Sequence, residues 1–241
     1  MPYRSLDASS IARTIDLLCQ RVEKRFPDSG LSRVCRELDS IGRRTAETVT
    51  GIGRPILPLR ILAGLLVVLL LAGVFVLGRT VLHVDASPMR LSETVQALEA
   101  GVNDLLFVSA AIFFLLTLES RLKRRRALRA IHELRAIAHV IDMHQLTKDP
   151  EWVLDRGRES GVLPSRTMSR FELSRYLDYC SEALSLTGKV AALYIQGFQD
   201  PVALQAVNEV EELTTGLARK IWQKLMILYS MREEGASRVE G

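Results

Sequence analysis

Residues 61–78 read ILAGLLVVLLLAGVFVLG and contain no charged or strongly polar side chain. As an α-helix these eighteen residues extend about 27 Å, nearly the thickness of the hydrocarbon core of a bilayer. Thirteen of the eighteen are Leu, Ile, Val or Phe, which together favour membrane insertion by about 4 to 8 kcal/mol. Arg60 and Arg79 bracket the stretch at the positions of the two interfaces. We therefore predict a transmembrane helix here.

A second apolar block, LLFVSAAIFFLLTL, occupies residues 105–118. Its fourteen residues would also suit a buried core helix. The charges around it favour the membrane, because a basic run follows at 121–129 while only Arg79 and Arg90 are basic between the two blocks. The positive-inside rule then places both termini in the cytoplasm. We expect a multi-pass protein of the bacterial inner membrane, the plasma membrane.

The overall composition agrees with this division. Of the 241 residues 48% are hydrophobic and 25% are charged, and the mean hydropathy is +0.13. These values exclude a disordered chain, and three cysteines exclude a complete disulfide scaffold. Cys19, Cys35 and Cys180 all fall in the predicted cytosolic parts, where thiols stay reduced, and we expect them to be small packing residues.

Outside the apolar blocks, hydrophobic residues recur at helical spacing. Ser9 or Ser10 is expected to cap the first helix, and Asp149-Pro150 and Asp200-Pro201 mark two later helix starts. From about Ser92 one helix is expected to continue in phase through the second block to about Leu146, and another runs from about Ser169 to Phe198. Two N-terminal helices are predicted by the stripes Ile11, Ile15, Leu18, Val22 and Leu31, Val34, Leu38, Ile41.

The predicted fold is all-α: a two-pass transmembrane protein with an N-terminal helical hairpin and a C-terminal cytosolic helical bundle. The segments are a cytosolic N-terminal helical region (1–55), transmembrane helix 1 (56–79), an extracytoplasmic loop with a short helix (80–103), transmembrane helix 2 (104–120), the cytosolic bundle (121–235) and a flexible tail (236–241).

One polar stripe after the second block carries groups that could bind a metal. His132, Arg135, His139 and Asp142 fall within about 80° of one another around a helix. A second helix would have to complete the coordination shell, and Glu209 and Glu212 are the candidate donors. The same stripe would equally serve as a polar seam of hydrogen bonds and ion pairs, or as a subunit contact.

Arg126 and His132 resemble, in their spacing, the arginine and histidine of the HEPN ribonuclease motif. The resemblance covers seven residues, and Ala127 stands where that family usually has a polar side chain. It would imply ribonuclease activity in which these two residues act together.

The basic run itself lies where anionic lipid headgroups are expected, and it contains no interleaved aromatic residues of the kind that bind nucleic acid. We therefore expect lipid contacts and no nucleic-acid partner. The predicted headgroup contacts are Arg121, Lys123, Arg124, Arg125 and Arg126.

Polar residues in the second block also permit a pore. Asn103 and Asp104 stand at its predicted outer end, and Ser109 and Thr117 lie within about 80° of one another around the helix. In a ring of subunits these four residues would line a cation path. Alternatively, the hydroxyl groups bond to their own helix.

The function that the sequence favours is a non-enzymatic membrane protein. Its cytosolic bundle is expected to mediate homo-oligomerisation and contact with a protein partner, as a scaffold, sensor or signalling subunit. Alternatives are an oligomeric cation channel lined by the second span and a membrane-tethered helical enzyme, metal-dependent or HEPN-like. The sequence contains no HExxH, paired CxxC or GxSxG motif, and we expect no cofactor.

Overall fold

A computed structural model of the chain describes residues 5–52, 56–83, 91–148 and 168–237. All regular structure in these ranges is helical, which confirms the all-α prediction. The helices are α1 (Ala8–Arg25), α2 (Gly30–Ile52), α3 (Leu57–His83), α4 (Leu91–Leu146), α5 (Arg170–Gln196) and α6 (Pro201–Ser237). The helix start predicted at Asp149-Pro150 lies outside the described residues.

The chain divides into two compact units. The first, called here the packed unit, comprises Met1–Gly53 and Arg126–Gly241, and the second, the apolar unit, comprises Arg54–Arg125. The packed unit therefore contains α1, α2, α5, α6 and the later part of α4. The apolar unit contains α3 and the earlier part of α4.

Helix α1 starts one or two residues before the caps that the sequence suggested. Asp7 is the N-cap, because its carboxylate accepts hydrogen bonds from the backbone N–H groups of Ser9 at 3.1 Å and Ser10 at 3.2 Å. The expectation of a cap at Ser9 or Ser10 is therefore wrong. A carboxylate offers two acceptor oxygens to the unsatisfied N–H groups of the first turn, and here it uses both.

Helix α4 confirms the prediction of one long helix from about Ser92 to Leu146. Its first residue is Leu91. Helix α2 ends at Ile52 and α3 begins at Leu57.

The core of the packed unit is a single hydrophobic cluster to which α1, α2, α4, α5 and α6 all contribute. Helix α1 contacts α2 and α5, α2 contacts α5, and α5 contacts α6. The predicted stripes of α1 and α2 are all buried in this cluster. In α6 the buried positions follow the three-four spacing typical of packed helices, namely Ala203, Val207, Val210, Thr214, Leu217, Ile221, Leu225 and Leu228.

Side chains complete the hydrogen bonding at the helix ends of the packed unit. Ser169 and Glu172 form a capping box at the start of α5, and the Asp200 carboxylate caps α6 as the sequence predicted. At the C-terminal end of α4, Lys224 Nζ donates to the carbonyl oxygens of Gln145 at 2.9 Å and Lys148 at 3.3 Å. A cation at this place satisfies carbonyl groups that the helix leaves without a partner.

The helices of the apolar unit expose their large hydrophobic side chains. Two stretches, Leu57–Val76 and Gly101–Leu146, are long and apolar enough to cross a membrane. In α3 Ala63 is buried and Val67 and Leu70 are partly buried, whereas most of the large hydrophobic side chains are exposed. The exposed side chains include Leu57, Ile61, Leu62, Leu65, Val68, Leu69, Leu71, Val74, Phe75 and Val76.

One polar cluster joins α3 to α4 inside the apolar unit. The Glu119 carboxylate accepts from Arg60 Nε at 2.7 Å and pairs with Lys123 Nζ at 2.8 Å. It also accepts from the backbone N–H of Ile56 at 3.3 Å. Only about a tenth of the Glu119 and Lys123 side chains is exposed, so these two charges are paired within the unit itself.

Candidate functional site

A surface cleft of the packed unit lies between α1, α5 and α6. It has a volume of about 650 Å³, and Trp222 and Leu225 of α6 form part of its wall. A second cleft of about 360 Å³, lined in part by Phe171, Leu228 and Tyr229, shares Arg175 and Asp178 with the first. We call the two together the aromatic groove.

The apolar edge of this groove is formed by one face of α6. Trp222, Met226 and Tyr229 follow each other at i, i+4 and i+7, so they lie on one side of the helix, away from its buried stripe. Trp222 is 59% exposed and Tyr229 is 47% exposed. Large aromatic side chains with this exposure are common at protein interfaces and uncommon on other surfaces.

A smaller pocket of about 190 Å³ lies between α2, α4 and α5. We call it the arginine pocket because Arg44, Arg126 and Arg129 line it against a single acidic residue, Glu133. Arg44 Nη2 lies 3.5 Å from Glu133 Oε2. Its remaining lining residues are Ile41, Thr48, Ala130 and Tyr194.

Tyr194 lies at the inner end of this pocket, and its hydroxyl group lies 2.9 Å from Thr45 Oγ1. Thr45 donates its own proton to the Ile41 carbonyl at 2.7 Å, so Tyr194 must be the donor to Thr45. Burial raises the pKa of Tyr194, so the phenol remains neutral. The pocket therefore combines a neutral inner wall with three cations around it.

The predicted metal residues are not brought together. His132 and His139 are exposed, Asp142 accepts from Gln145 Nε2 at 2.6 Å, and Glu209 pairs with Arg135 at 3.1 Å. Glu212 is exposed on α6. In the described ranges no three His, Cys, Asp or Glu side chains form a group that could hold a metal ion. The observed ion pair and hydrogen bond correspond instead to the polar-seam alternative.

The HEPN-like pair is divided between two surroundings. Arg126 lines the arginine pocket, whereas His132 is exposed and is not among the residues that line it. Ala127, which follows the arginine, is fully buried in the core of the packed unit. The seven residues of the motif thus include a packing position where that family has a polar group.

The five basic residues expected at lipid headgroups differ in their surroundings. Lys123 is paired with Glu119 and nearly buried, whereas Arg125 is exposed. Arg121 lies over the ring of Phe114 at 5.9 Å. Arg124 is half-buried, and Arg126 belongs to the arginine pocket.

The residues suggested for a pore show one informative contact. Thr117 Oγ1 lies within hydrogen-bond distance of the carbonyl oxygens of Phe113 at 3.0 Å and Phe114 at 3.1 Å, so its proton is used within its own helix. Asn103 and Ser109 are exposed on α4. The side chain of Asp104 lies outside the described residues.

The cysteines pack in the interior. Cys35 and Cys180 are buried, and Cys19 is half-buried with its Sγ 2.9 Å from the carbonyl oxygen of Cys35. Burial raises the pKa of the Cys180 thiol. The hydrogen bond between Cys19 and Cys35 and, second to it, burial raise the pKa of the Cys19 thiol. Protonated, enclosed thiols of this kind are poor nucleophiles.

Comparison with protein-family models, with curated proteins and with solved structures finds no match to this chain. The structural features that bear on function are the aromatic groove, the arginine pocket and the exposed apolar helices. The groove could not be predicted from the sequence, because Trp222 and Phe171 lie on different helices. The sequence contained a partial signal for the pocket in the basic run that includes Arg126 and Arg129.

Proposed function

We propose that this protein is a two-pass integral membrane protein of the bacterial inner membrane whose packed unit lies in the cytoplasm and mediates self-association. The observation that carries the proposal is the exposure of large apolar side chains in two separate places. They cover most of α3 and much of the apolar part of α4, and they form the edge of the aromatic groove. Each place has apolar surface that the described chain does not cover.

The exposed helices support the membrane part of the proposal. Leu65, Leu69 and Phe75 of α3 are each at least 65% exposed, which is unfavourable in water because apolar surface contributes about 25 cal/mol per Å² when it is covered. Lipid tails would cover all sides of these helices at once. Two such helices, with more basic residues on their outer flanks than between them, support a topology in which both termini are cytoplasmic.

The aromatic groove supports the self-association part. We infer that its occupant is a second copy of this chain. Copies confined to one membrane share the same orientation and meet at the same height, and closed two-fold contacts are the commonest form of homo-oligomer. Trp222 and Tyr229 are residue types that supply much of the binding free energy at such contacts. Contact with a different protein partner would use surface of the packed unit outside the aromatic groove.

The test is the molar mass of the full-length protein in a neutral detergent, measured by light scattering during size-exclusion chromatography. The wild type should be a dimer or larger, and Trp222→Glu should shift it toward the monomer. Met143→Glu is the matched control, because Met143 is a 65% exposed apolar residue on α4 outside the groove. A monomeric wild type, or dissociation caused by Met143→Glu alone, would overturn the proposal.

A further inference from the structure

The arginine pocket contains more positive charge than its acidic residue can neutralise. Several arginines elsewhere in the packed unit pair with at least one carboxylate, as Arg36 does with Glu23 at 2.9 Å. This pocket is lined by three arginines and by one carboxylate, that of Glu133, which pairs with Arg44. Within the part of the chain that the structure describes, neither Arg126 nor Arg129 makes an ion pair.

The one ion pair in the pocket is weak. Arg44 and Glu133 are 3.5 Å apart at their nearest atoms, the longest separation among the ion pairs described, and both side chains are about half exposed. Exposed pairs with this geometry contribute little to stability because water competes for both partners. Glu133 therefore leaves a net charge of about two positive units available to a ligand.

The hydroxyl groups at the pocket have no proton to offer a ligand. Tyr194 donates to Thr45, and Thr48 Oγ1 donates to the Arg44 carbonyl at 2.6 Å. A bound group would receive its hydrogen bonds from the arginines alone. It must therefore be an anion rich in acceptor oxygens, small enough for about 190 Å³ and able to accept from several planar guanidinium groups at once.

We propose that the arginine pocket is a binding site for one phosphate group, with Arg44, Arg126 and Arg129 as its ligating residues. Phosphate has the charge and the acceptor oxygens that these three forks match, whereas a carboxylate would leave one of them unused. The phosphate could belong to a free phosphorylated solute or to the headgroup of an anionic phospholipid. The lipid source rests on the membrane location proposed above, but the site itself does not.

The test uses the full-length protein in a neutral detergent and isothermal titration calorimetry at low ionic strength. One titration uses inorganic phosphate, a second uses short-chain phosphatidylglycerol, and a third uses short-chain phosphatidylcholine as the zwitterionic control. Binding of phosphate alone indicates a solute site, and binding of phosphatidylglycerol but not phosphatidylcholine indicates a headgroup site. Either result supports the phosphate site whether or not the protein self-associates. Absence of binding by both anionic probes overturns it.

Variants locate the binding. Arg129→Gln and Arg126→Gln should each weaken the binding of the probe by about tenfold or more, because each removes a charge-assisted hydrogen bond. Arg219→Gln is the control, since Arg219 is an exposed arginine of α6 outside the pocket, and it should change the Kd by less than about twofold.

Glu133→Gln provides the decisive variant, because it removes the only acidic residue of the pocket. It should tighten binding by several-fold, a gain that a misfolded protein cannot produce. Unchanged or weaker binding by Glu133→Gln, or equal losses in the Arg129 and Arg219 variants, would overturn the assignment of the site.

Discussion

The two units treat the same residue type in opposite ways. In the packed unit Leu184 of α5 is completely buried, whereas in the apolar unit Leu69 of α3 is 66% exposed. Packed helices such as α1 have a narrow apolar stripe that meets the stripes of other helices, and their remaining faces are polar. Helix α3 has no polar face over most of its length. In the apolar unit, many large hydrophobic side chains are not buried by any part of the described chain. In the packed unit, the helices bury most of these side chains against one another.

The largest effect should come from emptying the core of the packed unit. Leu184→Ala should lower the free energy of unfolding by about 2 to 5 kcal/mol, because it removes transfer energy and leaves a cavity. Leu69→Ala, the same change at an exposed position, should stay within about 0.5 kcal/mol. Chemical denaturation of the full chain in detergent, followed by circular dichroism, measures both. Equal losses at the two positions would show that the units do not differ in this way.

A charged substitution should impair membrane insertion in the apolar unit and leave it unchanged on the surface of the packed unit. Val68→Arg places a cation in the middle of α3, and its cost for insertion should be about 2.5 to 3.5 kcal/mol. Leu17→Arg, at a 52% exposed position on α1, should leave insertion unchanged. The fraction of expressed protein that resists alkaline extraction from membranes measures this. If Val68→Arg remains fully inserted, α3 does not have lipid around its middle.

The helices of the packed unit should also depend on their caps. Ser169→Ala removes the side chain that accepts from the Glu172 N–H at 3.2 Å, and it should cost about 1 kcal/mol. Ser169→Asp restores an acceptor at the same place and should recover most of the loss. Thermal unfolding of the three proteins tests this, and an Ala variant as stable as the wild type would show that the capping box contributes nothing.

The smallest expected effect is a pH dependence of stability caused by His144. The ring of His144 packs closely against Gly30: a Cβ atom at Gly30 would lie 2.1 Å from His144 Cε1. Burial, followed by the charges of Arg33 and Lys148, lowers the pKa of His144 below its ordinary value of 6.5. As the pH falls below about 6.5, the unfolded chain takes up a proton at this residue before the folded chain does, so stability decreases.

Thermal unfolding between pH 7.5 and pH 5.5 measures this effect, and His144→Gln should have a flatter dependence than the wild type. Parallel curves for the wild type and His144→Gln would show that His144 does not cause the dependence.

The sequence predicted those parts of the fold in which a local pattern has one physical solution. One example is the apolar stripe of α1, which packs against other helices and consists of Ile11, Ile15, Leu18 and Val22. Another is Asp200, which precedes a proline and caps the start of α6. The cap of α1 was misassigned because aspartate and serine are both good caps, and the sequence alone does not decide between Asp7 and Ser9.

The surface sites could not be predicted because they depend on how separate helices meet. The arginine pocket joins Arg44 of α2 with Arg129 of α4 and Tyr194 of α5. Each helix alone shows only a solvent-facing arginine or a buried aromatic residue. The stripe of His132 and His139 had the better local pattern for chemistry. Within the described ranges, however, α6 brings Glu209 to Arg135 of that stripe, and no three metal-binding side chains form a group there.

The most direct test of the central claim, that α3 and the apolar part of α4 cross the membrane while the packed unit stays in the cytoplasm, is labelling with a membrane-impermeant maleimide. Two single-cysteine additions are needed: Ser92→Cys at the start of α4, between the two apolar blocks, and Gln205→Cys at an exposed position of α6. The native cysteines are buried or half-buried, and the wild type provides the background. In intact cells Ser92→Cys should be labelled and Gln205→Cys should not, and inside-out vesicles should reverse the result. Labelling of both positions from the same side would contradict the account.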